Sequence, residues 1–257
     1  MAYKYVNSKD NHEDLASGRV LYNVPGAPAF PVRLAVELFR RALERLATKT
    51  GGSMVSLYDP CCGSGYLLTV LGILHGEHLE RLVGSDPDGK LLDVARKNLS
   101  LLGDAGLARR MAELGDLYRR FGKASHAGAL ESAQRIRERI LRRGRDIPVH
   151  LFRADAAKAR TPDEMFPAVD LVMADIPYGG VTSWRGAAAA AADPAALLLE
   201  HLLPVLKPVS LVVVVADKET RIEHAAYRRV ARLKAGKRQA FFLEPIGGTD
   251  AWGAEAD

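Results

Sequence analysis

The sequence predicts an α/β protein with a mostly parallel, doubly wound sheet that closes in an antiparallel hairpin. Three observations predict it. From Met54 onward, short apolar runs rich in Val, Leu and Ile alternate with segments of helical period, the pattern of strands joined by crossover helices. A glycine-rich loop, Asp59-Pro60-Cys61-Cys62-Gly63-Ser64-Gly65, stands between the first such strand and the helix after it. The final stretch, residues 228–244, centres on Ala235-Gly236-Lys237 and has the spacing of a hairpin.

Residues 1–30 are polar and turn-rich, punctuated by Pro25-Gly26 and Pro28. Pro31 suits the first turn of a helix, and Leu34, Leu38, Ala42 and Leu46 carry an i, i+4 stripe along it to Ala47. Met54–Tyr58 reads as the first strand and Tyr66–Leu74 as its helix. Arg81–Ser85 reads as the second strand, followed by a helix over Asp88–Leu102 with Leu91, Leu92, Ala95 and Leu99 on one face. Residues 104–146 then interrupt the rhythm and are expected to form two inserted helices. Val149–Arg153, Val169–Ala174 and Val209–Ala216 supply three more strands. Asp193-Pro194 is a suitable N-cap and first-turn pair for a helix over Ala195–Leu206. With the hairpin this makes seven strands in one domain, residues 1–257, whose first 50 residues form an N-terminal segment and helix.

With 257 residues, about half of them apolar, the chain has ample material for a core. Its longest apolar stretch, Val209 to Ala216, is too short to cross a bilayer, and Met1-Ala2-Tyr3-Lys4-Tyr5 lacks the apolar centre of a signal peptide. A cytoplasmic, soluble monomer is the expectation. Cys61 and Cys62 are the only cysteines, they are adjacent, and no Cys/His cluster completes a tetrahedral metal site, so no metal is expected. The net charge of +5 is unevenly placed: residues 107–146 hold 11 Lys and Arg against 5 Asp and Glu. That concentration predicts a polyanion-binding surface built on Arg135, Arg137, Arg139, Arg142, Arg143 and Arg145 and continued by Arg228, Arg229, Arg232, Lys234, Lys237 and Arg238 around the hairpin.

The chemistry is concentrated at the ends of the strands. Gly63 and Gly65 allow the backbone to turn tightly and approach a ligand, and the helix start beyond them offers N–H groups to an anion. A dinucleotide fingerprint would need a third glycine at position 68, where Leu68 stands, so a pyrophosphate is not the expected ligand. Asp86, 21 residues after Gly65, closes the second strand where an acid can accept ribose hydroxyls, and Asp155 follows the third strand. Asp175-Ile176-Pro177-Tyr178 follows the fourth. There a carboxylate can hold a base N–H, the proline stiffens the turn and the ring can stack on the base, as methyl transfer to a planar nitrogen requires. Trp184 and Arg185, in the Gly- and Ala-rich stretch 179–192, are further candidates for base contact.

This order of motifs resembles the class I S-adenosylmethionine-dependent methyltransferases of Rossmann-like fold. Ala29-Phe30-Pro31-Val32-Arg33-Leu34-Ala35, the loop from Asp59 through Gly72, Arg120-Phe121-Gly122-Lys123 and Asp175-Ile176-Pro177-Tyr178-Gly179 are similar to the AviRa family, the avilamycin-resistance methyltransferases of 23S ribosomal RNA. The resemblance runs from about residue 15 to about 243. It implies S-adenosylmethionine as cofactor and 23S ribosomal RNA or the large subunit as partner, with resistance to ribosome-targeting antibiotics as a consequence. By the same resemblance Asp59, Cys61, Cys62, Gly63, Ser64 and Gly65 surround the methionine part of the cofactor. Asp86 holds its ribose, Asp155 its adenine, and Arg33 reaches its carboxylate. Asp175, Pro177 and Tyr178 form the methyl-acceptor side. Ile176 stands where many amino-methyltransferases carry a second proline, which favours guanine N1 over N2 as the acceptor. A DNA or small-molecule N-methyltransferase, or a non-catalytic RNA-binding protein on this scaffold, is the alternative.

Overall fold

Seven strands form one sheet in the order β3-β2-β1-β4-β5-β7-β6. They are β1 (Val55–Asp59), β2 (Leu79–Asp86), β3 (Val149–Arg153), β4 (Val169–Asp175), β5 (Leu206–Asp217), β6 (Tyr227–Ala235) and β7 (Arg238–Pro245). The first five pair in parallel, and β7 inserts antiparallel between β5 and β6. In the computed structural model the described residues are 3–6, 11–16, 18–25, 29–159, 166–177 and 191–247.

Burial on both faces explains why the central strands read as continuous apolar runs. Leu57, Leu171, Met173, Leu211 and Val213 point into one core, where α1 (Val32–Thr50), α2 (Tyr66–His75) and α3 (Gly89–Ser100) pack. Tyr58, Val172, Ala174, Val212 and Val214 alternate with them into a second core under α6 (Pro194–Leu202). The expected cap forms at Asp193, whose carboxylate accepts from Ala196 N at 2.9 Å, and Asp88, read as the first helical residue, instead caps α3 by accepting from Lys90 N at 2.9 Å. The helix predicted to run to Leu206 ends at Leu202, because Pro204 has no N–H to continue the ladder; a short turn follows and β5 begins at Leu206.

The insertion is a helical hairpin, α4 (Asp104–Phe121) and α5 (Ala124–Arg143), turned at Gly122 with φ of 61°. The N-terminal segment, polar in overall composition, nevertheless buries Val6, Leu15, Val20, Leu21 and Phe30. Its backbone is held by Glu37, a fully buried carboxylate on α1 that accepts from Lys4 N at 2.7 Å and Tyr5 N at 2.8 Å. No helix among the described residues is long and apolar enough to cross a membrane.

Candidate functional site

The parallel strands β1, β2 and β4 end together, and their last residues are Asp59, Asp86 and Asp175. Asp155 follows β3 two residues on. Cys61, half-buried, lies among all four carboxylates: burial pushes its thiol well up, and Asp59, Asp86, Asp175 and Asp155 add to the effect. Asp59 is almost wholly buried and accepts from Cys61 N at 3.0 Å. Burial raises its carboxyl well above the usual range, and the charges of Asp175 and Asp86 push the same way. This is a pit of clustered negative charge that invites a cationic or hydroxyl-bearing ligand.

The glycine loop is strung across that pit. Gly63 N donates to Asp86 Oδ2 at 3.0 Å, while Asp86 Oδ1 accepts from Asp88 N at 2.9 Å. Each carboxylate oxygen has a second lone pair, so Asp86 can brace the loop and still receive hydroxyl donors. At Gly63 (φ 53°) a Cβ would meet nothing within 4 Å, so the backbone faces open space. Gly65 (φ 71°) is required for the opposite reason: a Cβ there would sit 3.1 Å from the Ala95 backbone of α3. Asp155 caps its own turn, accepting from Ala157 N at 3.0 Å. The side chain of Cys62 points into the core beside Gly84 and Leu68, so of the two cysteines it offers the site only its backbone, and its N–H is already bonded to Ser85 O at 2.9 Å.

Asp175 stands apart from the other acids in having an oxygen, Oδ1, that is buried with no hydrogen-bond partner among the described residues. Burial lifts its carboxyl to about 6, against the opposing effect of Arg238. The Arg238 Nη2 lies 4.0 Å from Asp175 Oδ2, and its guanidinium sits over the Phe30 ring at 5.6 Å. Pro177 is partly exposed beyond it. Ile176 belongs to the strand end: its N–H donates to Val215 O at 3.0 Å and its side chain is buried in the second core. Arg33 is on the first turn of α1, its guanidinium 5.7 Å from the Tyr3 ring centroid. Tyr178, Trp184 and Arg185 lie outside the described residues.

Two contributions were not foreseen from the sequence. Asn98, fully buried, donates to Ser64 O at 2.9 Å and Tyr22 O at 3.1 Å and accepts from Tyr22 N at 2.7 Å, so it fastens the glycine loop to the N-terminal segment. An asparagine beside the apolar stripe of α3 was the available signal. The other is Arg238, which was counted only as surface charge.

Part of the arginine-rich end of the insertion is turned inward, Arg143 and Arg145 above all. Arg143 donates to Leu102 O at 2.8 Å and Arg145 O at 2.7 Å, and Arg145 donates to Leu79 O at 2.6 Å and Gly76 O at 2.8 Å. Arg139 reaches Leu74 O, Arg135 pairs with Asp14 at 2.6 Å, and Arg137 pairs with Asp104 at 2.6 Å. The carbonyls of Leu74, Gly76 and Leu79 bound by Arg139 and Arg145 lie at the end of α2 and the start of β2, the end of the strands opposite the carboxylates, and Leu102, bound by Arg143, follows α3. Arg143 and Arg145 staple helix ends and loop carbonyls, whereas Arg135, Arg139 and Arg142 remain exposed, Arg135 in an ion pair with Asp14. In the hairpin, Arg228 is exposed and pairs with Glu244 at 3.0 Å. Among the described residues no group of three or more His, Cys, Asp and Glu is placed to hold a metal ion.

Comparison with known proteins agrees with this geometry. The family model described as rRNA methyltransferase AviRa matches residues 1–238. A 23S rRNA (guanine(2535)-N(1))-methyltransferase of Streptomyces viridochromogenes is 44% identical over 244 residues, which cover 94% of this chain and 95% of that protein. The 1.5 Å structure of the rRNA methyltransferase AviRa from Streptomyces viridochromogenes superposes with a TM-score of 0.84 at 42% identity, covering 95% of this chain and 96% of that one. TrmN from Thermus thermophilus shares the fold, with a TM-score of 0.50 at 17% identity over 85% of this chain and 50% of its own. With a mostly parallel seven-stranded sheet, an acid-ringed glycine loop and this likeness over nearly its whole length, the chain belongs to the AviRa family of ribosomal RNA methyltransferases.

Proposed function

We propose that this enzyme methylates N1 of a guanine in 23S ribosomal RNA, with S-adenosylmethionine as donor. One observation carries the reading: Asp175 ends β4 at the rim of the acid-lined loop as a half-buried carboxylate whose buried Oδ1 has no partner among the described residues. The N1 specificity named for the Streptomyces viridochromogenes relative supports the same acceptor. The cofactor, when bound, supplies an electrophilic methyl group on a positively charged sulfur. The residues present fit such a group: open backbone at Gly63, four converging carboxylates, and a loop without a third glycine for pyrophosphate.

In this reading Asp59, Gly63, Ser64, Gly65 and the Cys61–Cys62 backbone embrace the methionine portion. Asp86 accepts the ribose hydroxyls, Asp155 meets the adenine edge, and Arg33 answers the carboxylate. Asp175 accepts the N1–H of guanine and takes its proton, which makes N1 nucleophilic. A carboxyl near 6 suits this task, because it is ionised at neutral pH yet more basic than an exposed aspartate. Pro177 stiffens the turn, and Tyr178 is assigned to stack on a base drawn out of its helix or loop. Exposed Tyr118 and Phe121, with Arg120 and Lys123, give the turn of the α4–α5 hairpin the mixed aromatic and basic character that structured RNA requires.

The test is transfer of a radiolabelled methyl group to naked 23S RNA, assembled large subunits, transfer RNA and DNA, with nucleoside analysis of the product. Labelled N1-methylguanosine in 23S RNA is the expected result. Label confined to DNA or small molecules, or found on guanine N2, would refute the assignment.

A further inference from the structure

Arg238 and Asp175 form a long ion pair. Their 4.0 Å separation is about 1 Å longer than a charge-assisted hydrogen bond. The arginine is nevertheless well placed: it opens β7 immediately after the hairpin turn, opposite Asp217 of β5, and its guanidinium rests on the buried Phe30 ring at 5.6 Å. Asp175 is anchored independently, because β4 runs into the sheet through Asp175 paired with Val215 and Ile176 N bonded to Val215 O. Each charge is therefore fixed by its own strand, and a gap between a fixed cation and a fixed anion is a place for a group that presents an acceptor next to a donor.

The Watson–Crick edge of guanine presents that pair, O6 beside N1–H. We propose that Arg238 is the base-reading residue of this site: its guanidinium donates to guanine O6 while Asp175 accepts the N1 proton. The inference rests on the guanine-N1 reading above and adds to it the residue that selects the base. When N1 gives its proton to the Asp175 carboxylate, negative charge is delocalised onto O6, and a positioned guanidinium stabilises it there as an oxyanion donor does. N1 keeps the electron pair and forms the new bond to the methyl carbon as the bond from that carbon to the sulfonium sulfur breaks with its electrons remaining on sulfur. The proton ends on Asp175, so charge and atoms balance. The same arrangement excludes adenine, whose amino group would set N–H donors against the guanidinium and whose N1 carries no proton for Asp175.

The experiment compares wild type with Arg238→Gln and Arg238→Lys in methyl transfer to 23S RNA across neutral to alkaline pH, with cofactor binding by calorimetry and thermal unfolding as controls. Near neutrality Arg238→Gln is expected to lower kcat about 100-fold with cofactor affinity unchanged. The loss should shrink as pH rises toward the ionisation of guanine N1 itself, and Arg238→Lys should recover part of it. Added guanidinium should restore activity to an Arg238→Ala protein. A Gln variant with wild-type rate, or one equally slow at every pH and not rescued by lysine or guanidinium, would overturn the proposal. If wild type makes no N1-methylguanosine, the function proposed above fails and takes this inference with it; if wild type makes it and Arg238→Gln shows either of those outcomes, only the base-reading role fails.

Discussion

Asp175 couples activity to stability with opposite signs. Its carboxyl is raised from 3.8 to about 6 by burial, so ionisation is harder in the folded protein than in the unfolded chain. A raised carboxyl gives the fold its full benefit below the unfolded value and loses that benefit as pH climbs through about 6. By linkage the charged form costs about 1–3 kcal/mol at neutral pH. Activity runs the other way: kcat should rise with pH and level off above about 6, where the carboxylate is ionised. Asp175→Asn should lose at least about 100-fold in kcat while raising the melting temperature by a few degrees. Kinetics and a thermal melt on the same preparation check both, and an active Asn variant would remove the base. Gly65 is a second residue whose role follows from its backbone. Alanine there must adopt φ of 71° and press on Ala95, so Gly65→Ala should cost about 1–3 kcal/mol and weaken cofactor binding, measured by denaturation and calorimetry. The places of these two residues, Asp175 at a strand end and Gly65 at a helix start, were legible from the Asp and Gly spacing. The Asp175 oxygen without a partner among the described residues was not, because that depends on what surrounds the side chain.

At the scale of elements, periodicity predicted the strands and helices well, since each signal lies within one segment. The two inserted helices, the hairpin and the Asp193 cap all formed as read. What periodicity could not supply was the direction in which the charged side chains of α5 point. Arg143 binds carbonyls at Leu102 and Gly72, more than a helix length away in sequence, and its guanidinium pKa is lowered by burial and then by Arg145. Arg143→Ala should therefore destabilise the protein by about 2–3 kcal/mol by exposing those buried carbonyls to nothing, with RNA affinity in the surviving folded fraction nearly unchanged. A variant that melts like wild type but loses RNA binding would show the staple reading to be mistaken.

Across the whole molecule, the ends of the sheet do different work. One edge gathers the carboxylates, and the other is tied by ion pairs that hold helix to strand. Glu244, at the far end of β7, is buried and accepts from Arg45 at 2.7 Å and Arg228 at 3.0 Å, with Lys49 also at 2.7 Å. Burial alone would raise its carboxyl, but these three cations outweigh it and hold the group at about 2, below the ordinary 4.5. A lowered carboxyl stabilises the fold fully above the unfolded value, and that stability disappears as pH falls from about 4.5 through about 2. Allowing for solvent around the partly exposed cations, the contribution is about 1–2 kcal/mol. Glu244→Gln should lose it at neutral pH and flatten the acid limb of the unfolding curve between those values, which chemical denaturation over an acid pH series would reveal.

The sequence by itself determined the doubly wound sheet, its closing hairpin, the glycine loop and the ordered acids after successive strands, because each is written in local period, turn chemistry or spacing along one stretch of chain. Only the tertiary structure decided which charges are tools and which are fasteners. Asn98 meets Ser64, Arg143 meets the end of α2, and Arg238 meets Phe30 and Asp175, all across long separations in sequence. A hydrogen bond or an ion pair is fixed by distances of a few ångström in space, and the chain sets those only when the sheet brings its strand ends together.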